Sequence, residues 1–231
     1  YLLSEMDKVQ VLILKAPKIK DIGYFRRAIG EYFMPFIMIH HLKRNSLIDN
    51  NLDGIITYAP SIFLGPIANM LKKKNNCKNY LILRDIFPQW VVDVGLLSNY
   101  GLPYYFLKRV ERYLYSTADI IGVQTQANLK YFNENVVYRT GRIEVLQNWL
   151  AVNKSKTCHI IIGKTKLKGR KIFVYAGNMG VAQGLSLFID LADSLSTQKS
   201  IGFLFVGRGN AVVSLRQTVK ARGLDNILIY D

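Results

Sequence analysis

The chain has 231 residues, half of them hydrophobic, and its 31 Lys and Arg against 16 Asp and Glu give a formal net charge of +15. This composition is that of a globular protein with apolar residues for one large core or two modest ones. The positive charge suits nucleic acid, anionic lipid or phosphorylated substrates without selecting among them. The two cysteines fit neither a disulfide framework nor a cysteine-based zinc site, which favours a reducing, cytoplasmic setting, and no metal site is predicted.

The longest apolar segment, residues 32–42, is too short for a membrane span and contains Pro35. Basic residues lie on both sides of it: Arg26, Arg27, Lys43 and Arg44. The preferred interpretation is a core helix, and a helix that lies along a membrane interface is the alternative. The N-terminal stretch YLLSEMDKVQVLILKAP has no basic leader before its apolar run, so it predicts a strand of a folded domain rather than a signal peptide.

Short runs rich in β-branched residues alternate with helix-length segments over the first 150 residues. The predicted strands are 9–14, 53–60, 80–86, 118–125 and 142–148. Continuous apolar strands of this kind are typical of parallel sheets that helices cover on both faces. We therefore predict a doubly wound, Rossmann-like α/β domain over residues 1–150.

Residues 151–170 contain several basic side chains and no acid, which predicts an interdomain connection. The alternation then restarts, with strands at 171–178, 201–207 and 226–231 and helices at about 183–197 and 210–222. Residues 171–231 thus predict the first half of a second doubly wound domain. Because so few strands leave an apolar sheet edge open, we expect this domain to be truncated.

Two glycine turns follow the first two strands of the second domain. Their residues are Gly177, Gly180, Gln183 and Gly184 in YAGNMGVAQG, and Gly207, Arg208 and Gly209 in FVGRGN. Glycines at the carboxyl ends of parallel strands let backbone N–H groups and a helix N-terminus reach a phosphate. The two turns therefore predict a phosphate site, and the alternative is that both are ordinary tight turns.

A charged pair follows an earlier strand, in YLILRDIFPQWVVDVGLL. Arg84 and Asp85 fall where this strand ends, and Pro88 begins a new helix. Both charged side chains are therefore expected in the same kind of crevice. A salt bridge or a helix cap is the alternative explanation.

Five motifs occur in a specific order over residues 53–231: LRDIFPQWVVDVGLL, ADIIGVQTQANLKYF, VLQNW, YAGNMGVAQGL and FLFVGRGN. In this order they resemble glycosyltransferase family 4, in particular its branch for bacterial O-antigen and capsular polysaccharide, which includes N-acetyl-amino-sugar transferases. The resemblance implies the GT-B fold, in which two Rossmann-like domains face a cleft. It also implies an N-terminal acceptor domain, a C-terminal domain for a nucleotide diphosphate sugar, and retaining transfer without an obligatory metal or cofactor.

The resemblance assigns the glycine turns to the donor diphosphate. Asn178 and Gln183 stand where the family usually has an Arg and a Lys, and neither carries a charge. Diphosphate binding is therefore expected to depend on backbone N–H groups, the helix dipole and Arg208.

Four further residues match family positions outside the glycine turns. Arg84 and Asp85 match catalytic positions near the transferred sugar, where Asp85 orients a hydroxyl or acts as a base and Arg84 contacts a phosphate. Thr125 and Asn148 match small polar residues that line the cleft. Thr125 also suits a helix cap and Asn148 a hinge.

The resemblance further implies a polyprenyl-diphosphate-linked glycan acceptor and peripheral contact with the anionic cytoplasmic face of the inner membrane. The basic segment 71–78 and the helix near 24–44 would then face the lipid, and a solvated helix end is the alternative for 71–78. The family's downstream pair of glutamates is not found, since no glutamate follows Glu144, and we expect a truncated chain.

Two functions of other classes stay open at this stage. A nucleic-acid-binding protein would use the positive charge, but most Tyr and Phe residues fall in apolar periodic runs, so no nucleic acid is expected as a partner. A nucleotide-sugar enzyme such as an epimerase would share the fold and bind the donor without transferring the sugar.

Overall fold

The computed structural model describes residues 2–6, 9–19, 22–45, 51–59, 61–134, 141–151, 158–180 and 183–230. The chain divides into two compact units, Tyr1–Ala151 and Val152–Asp231. Each unit contains a parallel β-sheet whose strands are connected by helices, which confirms the predicted α/β fold class. No helix among these residues is both long and apolar enough to cross a membrane.

The first unit contains a four-stranded parallel sheet. Its strands, in spatial order, are β3 (Gly54–Ala59), β4 (Lys78–Leu83), β5 (Ile120–Val123) and β6 (Arg142–Val145). Its helices are α1 (Tyr24–Arg44), α2 (Gly65–Asn75, after a 3-10 turn at Ile62–Leu64), α3 (Gln89–Asp93), α4 (Leu102–Thr117) and α5 (Gln126–Glu134). Because neighbours in sequence are also neighbours in the sheet, all four carboxyl ends lie along one edge.

The predicted placement of the first strand is wrong. Strand β2 (Val9–Ile13) pairs antiparallel with β1 (Leu2–Met6) in a separate two-stranded sheet and does not join the parallel sheet. An apolar run directly before β2 in sequence offers a nearer partner than any later strand, and pairing with a near neighbour closes the shortest loop. Periodicity alone does not distinguish these two partners.

Helix α1, which the sequence predicts to be a core helix, packs against the core on one face only. Its residues Met38, Ile39 and Leu42 pack with α2 in a small apolar cluster. Its opposite face leaves Phe33 and Phe36 about half exposed. An apolar periodic run therefore supplies both a packing face and an exposed aromatic stripe.

Tyr80 on β4 reaches across β5 to Glu144 on β6, with its hydroxyl donating to Glu144 Oε1 at 3.1 Å. The crossing requires Gly122, since a Cβ there would lie 2.5 Å from the Tyr80 hydroxyl. Burial and the hydrogen bond to Glu144 raise the pKa of Tyr80 above its ordinary value. Glu144, the last glutamate of the chain, thus has a structural partner within the sheet.

Asp119 connects β4, α2 and the start of β6. Its carboxylate accepts from the backbone N–H of Asn79 at 2.8 Å and pairs with Lys72 Nζ at 2.7 Å, while its backbone carbonyl accepts from the N–H of Arg142 at 3.1 Å. Partial burial raises the pKa of the Asp119 carboxyl, but the hydrogen bonds from Lys72 and Asn79 outweigh burial, so the pKa lies below its ordinary value. Lys72, in the basic segment 71–78, is thus engaged in an ion pair.

The second unit contains a three-stranded parallel sheet in the order β7 (Lys171–Ala176), β8 (Ile201–Val206), β9 (Ile227–Tyr230). Helices α6 (Ser186–Ser194) and α7 (Val212–Ala221) connect these strands. Within the predicted connection 151–170, Leu167 is fully buried in this unit, Lys166 Nζ donates to the Leu224 carbonyl at 3.3 Å, and a 3-10 turn forms at Ile162–Lys164.

Replacement of Asp119 by Asn is expected to lower the free energy of unfolding by about 1 kcal/mol at pH 7, because a charged hydrogen bond is lost at a partly exposed site. A carboxyl with a lowered folded-state pKa stabilises above its unfolded pKa of about 4, and this stabilisation is lost as the pH falls through the folded-state pKa. Urea unfolding at pH 7 and pH 3 measures the difference. A loss that is equal at both pH values, or as large in the exposed control Asp53→Asn, contradicts the assignment.

Candidate functional site

Four side chains at the carboxyl edge of the first sheet form one network, with one residue from the end of each strand. Arg84 Nη1 donates to Asn148 Oδ1, Asn148 Nδ2 donates to Gln124 Oε1 at 3.2 Å, and Gln124 Nε2 donates to the backbone carbonyl of Arg84. The Arg84 guanidinium carbon lies 6.0 Å from the centroid of the Tyr58 ring. Arg84 is thus held in place by side chains from three other strand ends.

This network leaves Arg84 able to bind an anion. Asn148 occupies one of the five N–H donors of the guanidinium, and the structure gives Arg84 no ion-pair partner among the described residues. Asp85 next to it is exposed and has no hydrogen-bond or ion-pair partner in the described part of the chain. The edge therefore presents a fixed cation and a free carboxylate on adjacent residues.

Thr125 has a capping role in the structure. Its Oγ1 accepts from the backbone N–H of Asn128 at 3.1 Å, at the start of α5. The Thr125 hydroxyl also donates to Asn128 Oδ1 at 2.8 Å. Thr125 therefore acts both as donor and as acceptor in the first turn of α5. Asn148, by contrast, is exposed and belongs to the Arg84 network.

Sequence reasoning did not select Tyr58 or Gln124. Gln124 directly follows β5, just as Arg84 directly follows β4. This equivalent position could have identified Gln124 as a site residue from the sequence. Tyr58 lies within β3, where an aromatic residue is ordinary core material, so no sequence feature distinguishes it. Its side chain is nevertheless 51% exposed at the sheet edge.

The two glycine turns of the second unit are joined through Met179, which is fully buried. The Met179 N–H donates to the carbonyl of Arg208 at 2.8 Å, and the Met179 carbonyl accepts from Ala211 at 3.0 Å. Gly209 permits this contact, because a Cβ there would lie 2.2 Å from the Met179 carbonyl oxygen. The turns thus form one packed assembly at the carboxyl ends of β7 and β8.

Two of the predicted phosphate-binding glycines use their N–H groups within the sheet. Gly177 donates to the carbonyl of Val206 at 2.9 Å, and Gly207 donates to the carbonyl of Tyr230 at 3.0 Å. These bonds continue the strand pairing by one residue beyond each strand. Any anion at the turns would therefore need other donors than these two N–H groups, and the assignment of both glycines to a diphosphate site stays a prediction.

Asn178, Gln183, Gly184 and Arg208 are exposed, and Gly180 is partly exposed. Gln183 Oε1 accepts from the backbone N–H of Gly180 at 3.0 Å and from Asn178 Nδ2 at 3.2 Å. Gly184 is exposed with a φ of +59°, a left-handed conformation that favours glycine. Arg208 is exposed, and its guanidinium has no hydrogen-bond or ion-pair partner among the described residues.

The chain was compared with known proteins, and no protein-family model matches it. WbjE of Pseudomonas aeruginosa, a probable glycosyltransferase, is 26% identical over 210 residues, which are 88% of this chain and 50% of WbjE. WcaI of Escherichia coli (strain K12), named as a glycosyl transferase of colanic acid biosynthesis, is 24% identical over 186 residues, which are 77% of this chain and 45% of WcaI. The chain thus spans about half the length of the curated relatives it matches.

Among solved structures, Anabaena Alr3699/HepE in complex with UDP and glucose matches with a TM-score of 0.58 and 16% sequence identity, over 92% of this chain and 55% of that protein. At this level of identity the match establishes the fold. The predicted resemblance is confirmed: the chain is similar in sequence to glycosyltransferases, one of which is named for colanic acid biosynthesis, and it has the α/β architecture of part of a GT-B glycosyltransferase.

Proposed function

We propose that the chain belongs to a glycosyltransferase that moves a sugar from a nucleotide diphosphate sugar to a lipid-linked glycan in the synthesis of a bacterial surface polysaccharide. The observation that carries the proposal is the packed pair of glycine turns at the carboxyl ends of β7 and β8, with Arg208 exposed beside them. Support also comes from the relatives, of which WcaI is named for colanic acid and HepE was solved with UDP and glucose. Transfer is proposed to retain the anomeric configuration and to need no metal.

The second unit is proposed to hold the donor diphosphate. During transfer the bond between the anomeric carbon and the diphosphate oxygen breaks, the acceptor oxygen bonds to that carbon, and its proton passes to the leaving phosphate. Negative charge on the leaving group then needs hydrogen-bond donors that are already in position. Arg208 is one such donor, and Asn178 Nδ2 and the N–H of Gly180 are two more once their acceptor Gln183 Oε1 releases them. The N–H groups of Gly177 and Gly207, by contrast, are engaged in the sheet.

The first unit is proposed to hold the acceptor. Arg84 is fixed by Asn148 and Tyr58 and donates to a phosphate oxygen of the substrate. Asp85 is free of other partners among the described residues and accepts a hydrogen bond from a substrate hydroxyl. A pre-positioned cation costs less entropy on binding than a mobile one, which is the physical value of the network.

The donor site is tested by thermal unfolding of the complete gene product with UDP, GDP and an unrelated oligonucleotide. A nucleotide at about 100 times its Kd is expected to raise the Tm by several degrees, because it binds only the folded state. Gly209→Ala is expected to abolish this rise, since the added Cβ displaces the Met179 backbone. The control Gly163→Ala meets no atom within 4 Å and should keep it.

Stabilisation by the oligonucleotide and by neither nucleotide would reject the transferase in favour of nucleic-acid binding. Product analysis with a lipid-linked acceptor separates a transferase from an epimerase. A transferase lengthens the acceptor glycan, whereas an epimerase returns an altered nucleotide sugar and leaves the acceptor unchanged.

Asp85→Asn is expected to lower kcat by about a hundredfold, the scale of a lost catalytic hydrogen bond or base, with little change in Tm. The stability should be unaffected because Asp85 is exposed and has no partner among the described residues. Steady-state kinetics of glycan transfer measure the effect. Asp93→Asn, an exposed carboxylate on α3, is the control, and an equal loss in both variants would remove Asp85 from the site.

Peripheral membrane contact is proposed to use an aromatic face of α1 and α4. We define this face by seven exposed apolar residues: Ile29, Tyr32, Phe33, Phe36, Leu102, Tyr105 and Phe106. The two helices meet within it, where the Tyr32 and Phe106 rings lie 6.0 Å apart. Exposed apolar residues that cluster in this way and are rimmed by polar residues are typical of an interaction site.

The charges around the aromatic face fit an anionic bilayer. Exposed basic residues lie at both ends of α1 and along α4: Arg26, Arg27, Lys43, Arg44, Arg109 and Arg112. Aromatic side chains that enter the headgroup region while long basic side chains reach lipid phosphates are the arrangement of an interfacial helix. Among these basic residues Arg27 also pairs with Glu31 at 2.7 Å, as Lys72 of the segment 71–78 pairs with Asp119.

Replacement of Phe33 and Phe36 together by Ser is expected to weaken binding to anionic vesicles at least about tenfold, because two half-buried rings are lost from the interface. Vesicle flotation with phosphatidylglycerol mixed into phosphatidylcholine measures it. Leu187→Ser, at an exposed apolar residue of α6, is the matched control and should bind as the native chain does. Equal binding of the native chain to vesicles without anionic lipid would contradict the charge argument.

A further inference from the structure

The Gln183 side chain occupies a small hydrogen-bonding hole in the first glycine turn. Its carboxamide oxygen accepts from the backbone N–H of Gly180 at 3.0 Å and from Asn178 Nδ2 at 3.2 Å. Both donors belong to the solvent-facing part of the turn, and Gln183 itself is exposed. A neutral oxygen thus takes two N–H donors at the place where the donor diphosphate is proposed to bind.

Gly180 provides the room for this oxygen. A Cβ at position 180 would lie 2.7 Å from Gln183 Oε1 and 3.0 Å from Asn178 Nδ2. A side chain at position 180 would therefore crowd the Gln183 oxygen, which has N–H donors on two sides. Two N–H groups directed at one oxygen are the arrangement that binds an anionic oxygen strongly.

The backbone of the turn is held by hydrogen bonds that do not involve the Gln183 side chain. The buried Met179 holds the turn through two backbone hydrogen bonds, to Arg208 and from Ala211. The Asn178 carbonyl is held by the Tyr175 hydroxyl at 2.7 Å. The backbone that carries the Gly180 N–H therefore stays in position when the Gln183 side chain leaves, and Asn178 Nδ2 remains attached to a fixed backbone.

We propose that the Gln183 carboxamide is a displaceable stand-in for a diphosphate oxygen, so that donor binding expels this side chain from the hole. The inference rests on the proposed function of the glycine turns. It adds that the diphosphate binds by replacing the Gln183 oxygen. A phosphate oxygen carries charge and forms a stronger hydrogen bond than a carboxamide oxygen, so a diphosphate displaces Gln183. A neutral hydroxyl has no such advantage, and the filled hole therefore selects for anionic ligands.

The exchange is tested with inorganic pyrophosphate on the 15N-labelled complete gene product, by following the Gly180 amide resonance and the Gln183 side-chain amide resonances. Pyrophosphate is expected to shift both in the native protein, because one gains a charged acceptor and the other loses its donors. In Gln183→Ala the hole is empty beforehand, so pyrophosphate is expected to bind about two- to fivefold more tightly. In Gln183→Glu a carboxylate fills the hole, and binding is expected to weaken at least about tenfold.

Gln198, an exposed residue that follows α6, provides the matched controls Gln198→Ala and Gln198→Glu, which should bind pyrophosphate as the native protein does. Weaker binding in Gln183→Ala would overturn the inference, since it would make Gln183 a donor to the ligand or a support of the turn. An unchanged Gly180 resonance in both the native protein and Gln183→Ala would overturn it as well. Pyrophosphate exchange without any sugar transfer would instead reject the proposed function and leave this inference standing.

Discussion

Parallel strand pairing is the constraint on which both candidate sites depend. All strands of a parallel sheet end at one edge, so polar residues from separate parts of the sequence meet only there. In the first unit this edge brings Arg84, Gln124 and Asn148 into one network. In the second unit the pairing of β7 with β8 continues for one residue into the turns, through Gly177. The pairing of the strands therefore determines the geometry of both sites.

Two glycines allow neighbouring segments of this protein to pack more closely than any residue with a side chain would. Gly122 lets Tyr80 cross a neighbouring strand to reach Glu144, and Gly209 lets the Met179 backbone lie against the second turn. At both positions a methyl group would occupy space that another residue already fills. These glycines are therefore required by packing between neighbours, which is a different role from chain flexibility or from an exposed N–H.

The fold could be predicted further from the sequence than the site. Apolar runs predicted strands β3 to β9, because such runs are typical of parallel sheets, although β7 leaves Phe173 and Val174 more than half exposed. The pairing of β2 could not be predicted, since an apolar run is equally suited to a parallel and an antiparallel partner. The positions of Gln124 and Gln183 in hydrogen-bond networks depend on side-chain conformation, which spacing along the sequence does not encode.

The chain has a net charge of +15, but its basic residues are not spread evenly. Their positions separate two tasks, the attraction of anions and the selection among them. Within the two glycine turns, Arg208 is the charged residue, and the other polar groups are amides. Amide donors act at hydrogen-bond distance and discriminate by geometry, whereas charges spread over a surface attract anions over about 10 Å, one Debye length. Basic residues on α1 and α4 therefore suit the attraction of anionic surfaces to the first unit, whereas the nearly neutral turns of the second unit suit selection by hydrogen-bond geometry. The substitution of Asn178 and Gln183 for charged residues follows this division, because an amide oxygen can occupy the hole and be displaced, which an ammonium or a guanidinium cannot do.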